Sequence, residues 1–272
     1  MRIATASDDR TARIWDARSG GEILTISGHE GAVLSANFCH NGSRLVTSGA
    51  DRTIRVWQAY TGELLSVLSG HTDYILTASC SPDGLLIVSA SADKTSRVWD
   101  AQTGKELRKL GNYLDRVLTA EFSHDGTHIL TASANQAYVW DAISGREILT
   151  LSGHPGTIFS AAFNSDSSQV ATAGSDGTIR IWDAASGNGL ARLEGHTGYV
   201  KSAKFSPDGA FILTGSEDGT ARIWNRSSGT ELFQIPSQRN TATWSPDGKT
   251  IATLSRQLPG LHPDTGRSVI FC

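Results

Sequence analysis

Six of the chain's seven tryptophans stand at a fixed interval. Trp15, Trp57, Trp99, Trp140, Trp182 and Trp224 are separated by 42, 42, 41, 42 and 42 residues. Each is followed by an acidic or amide residue: Asp16, Gln58, Asp100, Asp141, Asp183 and Asn225. A period this strict means one supersecondary unit copied many times, and such a unit buries its apolar surface only by stacking on its neighbours. No linker-like stretch interrupts the period, so residues 1–272 read as a single domain.

Composition narrows the function classes. The formal net charge is -3, and no stripe of Lys and Arg is present to neutralise phosphates, so nucleic acid is not expected as a partner. No apolar run approaches the ~18 residues of a membrane span. The opening residues, Met1-Arg2-Ile3-Ala4, lack the apolar stretch of a signal peptide, and no membrane association is expected. Cys39, Cys80 and Cys272 form an odd, scattered set. They read as free thiols in a reducing compartment rather than a disulfide framework, and the expected location is cytoplasmic.

The repeat from Gly28 to Leu68 sets out the unit. Gly28-His29 opens it, and Val33 to Phe38 reads as a strand. His40-Asn41-Gly42 is a turn, Arg44 to Ser48 a second strand, and Ala50-Asp51-Arg52 a tight turn. Thr53 to Trp57 is a third strand, Thr61-Gly62 a turn, and Leu64 to Leu68 a fourth strand. β-Branched and aromatic residues fill the runs, and Gly, Asn, Asp and Pro punctuate them. Four short strands in each period leave no room for a helix. Ser81-Pro82-Asp83-Gly84 recurs at Ser206 to Gly209 and Ser245 to Gly248, a turn in which Pro presets φ and Gly takes φ > 0. A glycine falls five residues after every periodic tryptophan (Gly20, Gly62, Gly104, Gly145, Gly187, Gly229), where a hairpin with positive φ would require one.

The Gly-His pairs (Gly28-His29, Gly70-His71, Gly153-His154, Gly195-His196), the Asp turns and the Trp-Asp endings resemble the WD40-repeat family over essentially the whole chain. That resemblance implies an all-β fold: a seven-bladed WD40 β-propeller of four-stranded antiparallel blades around a central channel. The seventh blade is degenerate. Thr241 to Gly248 matches a first strand and turn, Thr250 to Ser255 a second strand, and Asp264 to Arg267 the glycine turn. This register puts Leu261 where the tryptophan belongs, and places Trp244 in the column of Phe38 and Phe205. At the other end, Arg2 to Ser7 aligns with Arg44 to Gly49, so the first blade begins at its second strand and lacks the inner one. Two readings stay open: the chain is a fragment of a longer product, or the ring tolerates a notch filled by water or by a rearranged C-terminus.

A hydroxyl, a histidine, an aspartate and a tryptophan recur together. The sets are Thr47, His29, Asp51 and Trp57; Ser89, His71, Asp93 and Trp99; Thr172, His154, Asp176 and Trp182; and Thr214, His196, Asp218 and Trp224. A hydroxyl–His–Asp set invites a nucleophilic triad. An enzyme needs one site in one pocket, whereas this set appears four times at one spacing. By resemblance to the family it is a structural hydrogen-bond network. A nearby His can donate to the Asp, and a buried indole N–H needs an acceptor. Such a network should be lost as a unit. The fourth repeat fits that expectation, with Gly111-Asn112 in place of Gly-His and Ala134-Asn135 in a shortened turn without Asp. No zinc, phosphate-loop or nucleophile-elbow motif is present, and the isolated His40, His124, His128 and His262 are not expected to be ligands. No metal, cofactor or catalytic residue is expected.

Function should then lie where the repeats differ, in the residues after each Gly-His and in the Asp turns. Tyrosine and arginine are favoured at interface hot spots, which selects Tyr74, Tyr113, Arg116, Tyr199 and nearby Lys201 as candidate partner contacts. The leading reading is a non-catalytic protein–protein interaction scaffold that binds peptides or protein loops on this face. The alternatives are a sensor or regulatory propeller of a larger signalling NTPase or kinase-like protein, and an enzyme using the central channel. The inner runs, such as Ile75-Leu76-Thr77-Ala78 and Ile158-Phe159-Ser160-Ala161, are mostly apolar or small, which argues against the enzyme. A monomer is expected unless the incomplete first blade drives pairing.

Overall fold

The structure is a computed structural model. It describes residues 2–237, 242–245, 247–253 and 269–270, with the backbone alone at His40, Ala252, Thr253, Val269 and Ile270. Apart from one short turn of 3-10 helix at His40–Gly42, every regular element among the described residues is a strand. The strands form seven antiparallel sheets, in each of which consecutive strands are neighbours.

The first sheet has three strands, Arg2–Ala6, Thr11–Asp16 and Glu22–Ser27. The second has Val33–Cys39, Arg44–Gly49, Thr53–Gln58 and Leu64–Ser69. The third has Ile75–Cys80, Leu86–Ser91, Ser96–Asp100 and Glu106–Leu110. The fourth has Val117–Phe122, His128–Ser133, Gln136–Asp141 and Glu147–Ser152. The fifth has Ile158–Phe163, Gln169–Gly174, Ile179–Asp183 and Gly189–Leu193. The sixth has Val200–Phe205, Phe211–Ser216, Thr220–Asn225 and Glu231–Pro236. The seventh has Ala242–Trp244, Ile251–Thr253 and Val269–Ile270. The contacts divide the chain into two units, Met1–Ala134 with Val139–Ile148, and Asn135–Tyr138 with Leu149–Cys272.

The turns take the conformations that their residues demand. The six glycines after the periodic tryptophans have φ between 69° and 76°, a region costly for any residue with a β-carbon. Within each four-stranded sheet the second strand is the most buried and the last the most exposed. Leu45 to Gly49 is buried throughout, whereas Leu64 to Ser69 keeps only Leu68 inside.

Both faces of a sheet are apolar, and within each unit neighbouring sheets share a core. Ala12, Ile14 and Ile26 of the first sheet share a core with Val33, Leu45 and Trp57 of the second. Val46, Ile54, Val56 and Leu68 of the second pack with Ile75, Ala78, Ile87 and Trp99 of the third. Ile179, Ile181 and Leu193 of the fifth pack with Val200, Ala203, Ile212 and Trp224 of the sixth. In each case the tryptophan faces the preceding sheet. One such side chain removes about 150–250 Å² from water. At about 25 cal/mol per Å² that is an upper estimate of about 4–6 kcal/mol. Trp57, Trp99 and Trp224 each supply the wedge that closes the gap to the neighbouring sheet.

Two sequence expectations are corrected. The register of the seventh sheet pairs Ile251 with Ile270. The equivalent residues Leu45 and Ile212 pair with Trp57 and Trp224, so Ile270 takes the tryptophan's place in the pairing. Leu261, expected there, lies outside the described residues, as do the turn at residues 264–267 and Cys272. Trp244 pairs with Ile251 as Phe205 pairs with Ile212, which is the column the sequence assigns it.

The second correction concerns cysteine. Cys39 and Cys80 are not free thiols: they are joined by a disulfide with 5.6 Å between the α-carbons. The physical reason is the period itself. The two residues are 41 apart and end the inner strands of consecutive sheets, which lie side by side. Asn37 Nδ2 donates to the Ala78 carbonyl at 2.8 Å across the same seam. The inference of a reducing compartment rested on free thiols and loses that premise. Closing a loop of this length stabilises a chain by about 2–4 kcal/mol. Urea unfolding with and without a phosphine reductant should show a loss of that size, and equal midpoints would show that the bridge contributes nothing.

Candidate functional site

The recurring set is assembled in four sheets with nearly constant geometry. In the second, Trp57 Nε1 donates to Thr47 Oγ1 at 2.8 Å, His29 Nε2 lies 2.7 Å from the same hydroxyl, and His29 Nδ1 lies 2.8 Å from Asp51 Oδ2. In the third, Trp99 donates to Ser89 at 2.9 Å, and His71 stands 2.7 Å from Ser89 and 2.8 Å from Asp93. In the fifth, the Trp182–Thr172, His154–Thr172 and His154–Asp176 distances are 2.8, 2.9 and 3.0 Å. In the sixth, Trp224–Thr214, His196–Thr214 and His196–Asp218 measure 2.9, 2.7 and 2.7 Å.

The indole can only donate, so the hydroxyl accepts from it. Burial favours the neutral imidazole, whose Nδ1–H donates to the carboxylate and whose Nε2 is left to accept from the hydroxyl. The aspartate goes further and gathers the Gly-His loop onto the turn. Asp51 accepts from the backbone N–H of Glu30 at 3.0 Å, Asp93 from Thr72 at 3.0 Å and Asp218 from Thr197 at 3.2 Å. A reactive triad needs an exposed hydroxyl with a lone pair free to attack. Thr47, Ser89, Thr172 and Thr214 are each 0% exposed and already hold an indole. The arrangement can fix loops but cannot present a nucleophile.

The first and fourth sheets show which member of the set is indispensable. In the first, Trp15 Nε1 donates to Thr5 Oγ1 at 2.9 Å, while Asp9 lies in its turn beside Thr11 and Arg13. In the fourth, Trp140 Nε1 donates to Thr131 Oγ1 at 2.8 Å, and Tyr113 OH lies 2.8 Å from the same oxygen. Tyr113 is only 8% exposed and packs edge-on to Trp140 with 6.1 Å between ring centroids. His and Asp are absent together from this sheet, but the hydroxyl–indole bond stays, and Tyr113, expected as a surface contact, is buried. The phenol replaces the imidazole because the loop takes another path: Gly111 has φ +65, and a β-carbon there would lie 2.7 Å from the Tyr113 ring. Gly28 and Gly70, which precede histidines, have φ +148 and +159.

The remaining candidates are at the surface. In the first unit, Tyr74 is 52% exposed and Arg116 is exposed, each with its backbone N–H held by the preceding aspartate at 2.8 Å. Leu114, between Tyr113 and Arg116, is 92% exposed and was not singled out from the sequence. In the second unit, Tyr199 and Lys201 come together with Phe159 and Glu217. Lys201 Nζ lies 3.4 Å from the Phe159 ring centroid, 5.2 Å from that of Tyr199 and 3.1 Å from Glu217 Oε1. The two rings are 5.8 Å apart, and Tyr199 is 48% exposed. Phe159 and Lys201 are the extra residues of β-bulges in their inner strands, a device that re-aims a side chain. The bulge brings Phe159 to this cluster.

Two predictions follow from the buried sets. Replacing His71 or Asp93 with alanine leaves buried polar atoms unpaired, at about 1–3 kcal/mol for each change. The double variant should lose less than the sum by about 0.5 kcal/mol or more in urea unfolding, and full additivity would refute the network. The second concerns pH. Burial pushes His29, His71, His154 and His196 below the ordinary 6.5, against the pull of each aspartate. The unfolded chain then binds protons that the folded chain refuses, so this stabilisation is complete above 6.5 and is lost as pH falls from there toward the folded values. Burial raises the aspartates, but hydrogen bonds from Thr95, Thr72 and His71 win at Asp93, which falls from 3.8 to about 2. Asp218 falls to about 2 in the same way, so a further loss follows below 3.8. The urea midpoint should be lower at pH 5.5 than at pH 7.5; a midpoint that rises on acidification would contradict neutral imidazoles.

Comparison with known proteins follows this geometry. A family model described as WD domain, G-beta repeat matches residues 1–16, 20–58, 62–100, 104–141, 145–183 and 187–225. No curated protein matches the chain. The six matches end at the residue after each periodic tryptophan, so each carries one indole–hydroxyl bond. By sequence pattern, sheet topology and this match, the chain belongs to the WD40-repeat family.

Proposed function

We propose that the seven sheets form one propeller and that the chain is a non-catalytic scaffold, binding a peptide or protein loop on the face that carries the Gly-His and Asp turns. WD40 repeats generally mediate protein–protein interaction. The observation that carries the reading is the contrast between buried and exposed members of the same loops. His71 is buried, while Tyr74 three residues later is 52% exposed. His196 is likewise buried, while Tyr199 is 48% exposed and stacked beside Phe159 and Lys201. The repeated residues are used up in holding the loops, which leaves the variable ones presented on a fixed base. Large aromatic surface on a rigid support is the chemistry of an interface hot spot.

The opposite strand ends also expose apolar side chains, among them Leu85 and Ile143, and they supply the rival arm of the test. Quantitative affinity capture would compare the wild type with Tyr74→Ala/Tyr199→Ala and with Leu85→Ala/Ile143→Ala. Loss of a hot spot should lower recovery of the specific partners by about tenfold in the first variant, for about 1.4 kcal/mol, and leave it unchanged in the second. The reverse result would move the interface to the other end of the strands.

A further inference from the structure

Two residues before each periodic tryptophan stand Arg13, Arg55, Arg97, Tyr138, Arg180 and Arg222. Four of the five arginines hold carboxylates. Arg13 pairs with Asp9 at 2.7 Å and Arg55 with Asp51 at 3.8 Å. Arg97 holds Glu106 at 2.6 Å and Asp93 at 3.7 Å, and Arg222 holds Glu231 at 2.7 Å and Asp218 at 3.4 Å. Among the described residues no carboxylate comes within ion-pair distance of Arg180, and its buried Nε has no hydrogen-bond partner.

Nε of Arg55, Arg97 and Arg222 donates to the threonine two residues before it, Thr53, Thr95 or Thr220, whereas the Thr178 hydroxyl is given to Asp176 Oδ2. The missing carboxylate has its cause in the sequence. The outer strands of the third and sixth sheets begin with Glu106 and Glu231, and that of the fifth begins with Gly189. The guanidinium nevertheless keeps its place. A β-carbon on Gly70, Gly153 or Gly195 would stand 3.0 Å from Nη1 of Arg97, Arg180 or Arg222, with the tryptophan ring at 3.1, 3.0 and 3.2 Å. In the third and sixth sheets a glutamate oxygen completes the same corner at 3.3 and 3.6 Å. Arg180 pairs across the sheet with a second cation, Arg192, as Arg97 does with Lys109. Like charges directly opposite are destabilising. Arg192 is partly offset by Glu194 at 2.9 Å, and Asp176 is engaged with His154 and Thr178.

We propose that Arg180 is a carboxylate-binding site on the flank of the fifth sheet, taking in trans a Glu or Asp side chain of an acidic partner peptide where the third and sixth sheets use their own glutamate. The ligand class comes from the chain itself, because Arg97 and Arg222 show which group this pocket of Gly, Trp and Arg accepts. A guanidinium binds a carboxylate with charge-assisted, geometrically matched bonds. The argument for this site does not rest on the face chosen above.

Gly189→Glu supplies the carboxylate in cis. A β-carbon at Gly189 meets only the Trp182 ring, at 3.9 Å, so the variant should fold. The readout is the Nε–Hε resonance of Arg180 in nitrogen-15 NMR of the intact chain, assigned with Arg180→Lys. At constant ionic strength the probes are a capped Gly-Glu-Glu-Gly peptide, sodium acetate and inorganic phosphate. The Arg180 signal should shift saturably with peptide and acetate, and be displaced at the outset and unresponsive in Gly189→Glu. The Arg97 and Arg222 signals should stay still. An unmoved Arg180 signal, an equal response in Gly189→Glu, or parallel shifts at Arg97 and Arg222 would overturn the site. A response to phosphate alone would overturn the carboxylate assignment. Saturation by peptide at a tenfold or lower concentration than acetate supports a side chain delivered by a partner, and equal saturation overturns that source.

Discussion

One hydroxyl in each of the first six sheets, buried in all but the first, is what the surrounding structure depends on. Thr5, Thr47, Ser89, Thr131, Thr172 and Thr214 each accept the N–H of the tryptophan on the neighbouring strand. An indole wedged between two sheets has nowhere else to send that proton, and a buried donor without an acceptor is expensive. Everything above the hydroxyl is an attachment to it. Imidazole and aspartate extend the chain of donors to the Gly-His loop in four sheets, and a phenol replaces them in another. Trp57, Trp99 and Trp224 are therefore coupled twice, by area to the preceding sheet and by one polar bond to their own.

The same economy explains what could be read from the sequence. Features fixed by one residue type in one conformation were legible: the wedge at each tryptophan, the positive φ at Gly62 and its equivalents, and the His29–Asp51 spacing. Features that arise between repeats were not. Cys39 and Cys80 are 41 residues apart and look scattered in a list, yet they end the first strands of adjacent repeats, which are neighbours in space. Tyr113 looked like a surface aromatic because it occupies a loop, and only the turn at Gly111 shows that it folds inward. A signal was present, since the hydroxyl of Thr131 and the indole of Trp140 still needed a companion. Phe159 was hidden by its bulge, which breaks the strand alternation on which inward and outward assignments rest.

Departures from the repeat carry more information about partners than the repeat itself. The replacement of Glu by Gly189 does little to the backbone, yet it changes the electrical character of one flank. The clustering of Phe159, Tyr199 and Lys201 likewise uses positions that the hydrogen-bond sets leave unconstrained. In a protein built by copying, residues that must agree build the frame, and residues free to differ acquire chemistry one sheet at a time.

The phenol of the fourth sheet has a consequence for how the chain yields. A tyrosine neither gains nor loses a proton in mild acid, whereas a buried neutral imidazole is under growing pressure to take one. Acid thus strains the second, third, fifth and sixth sheets and leaves the Tyr113–Thr131–Trp140 group as it was. Amide exchange in a repeat protein reports local opening rather than a single global event. Slow exchange should persist longest around Thr131, so that one substitution in the Gly-His column gives otherwise similar modules an order of failure.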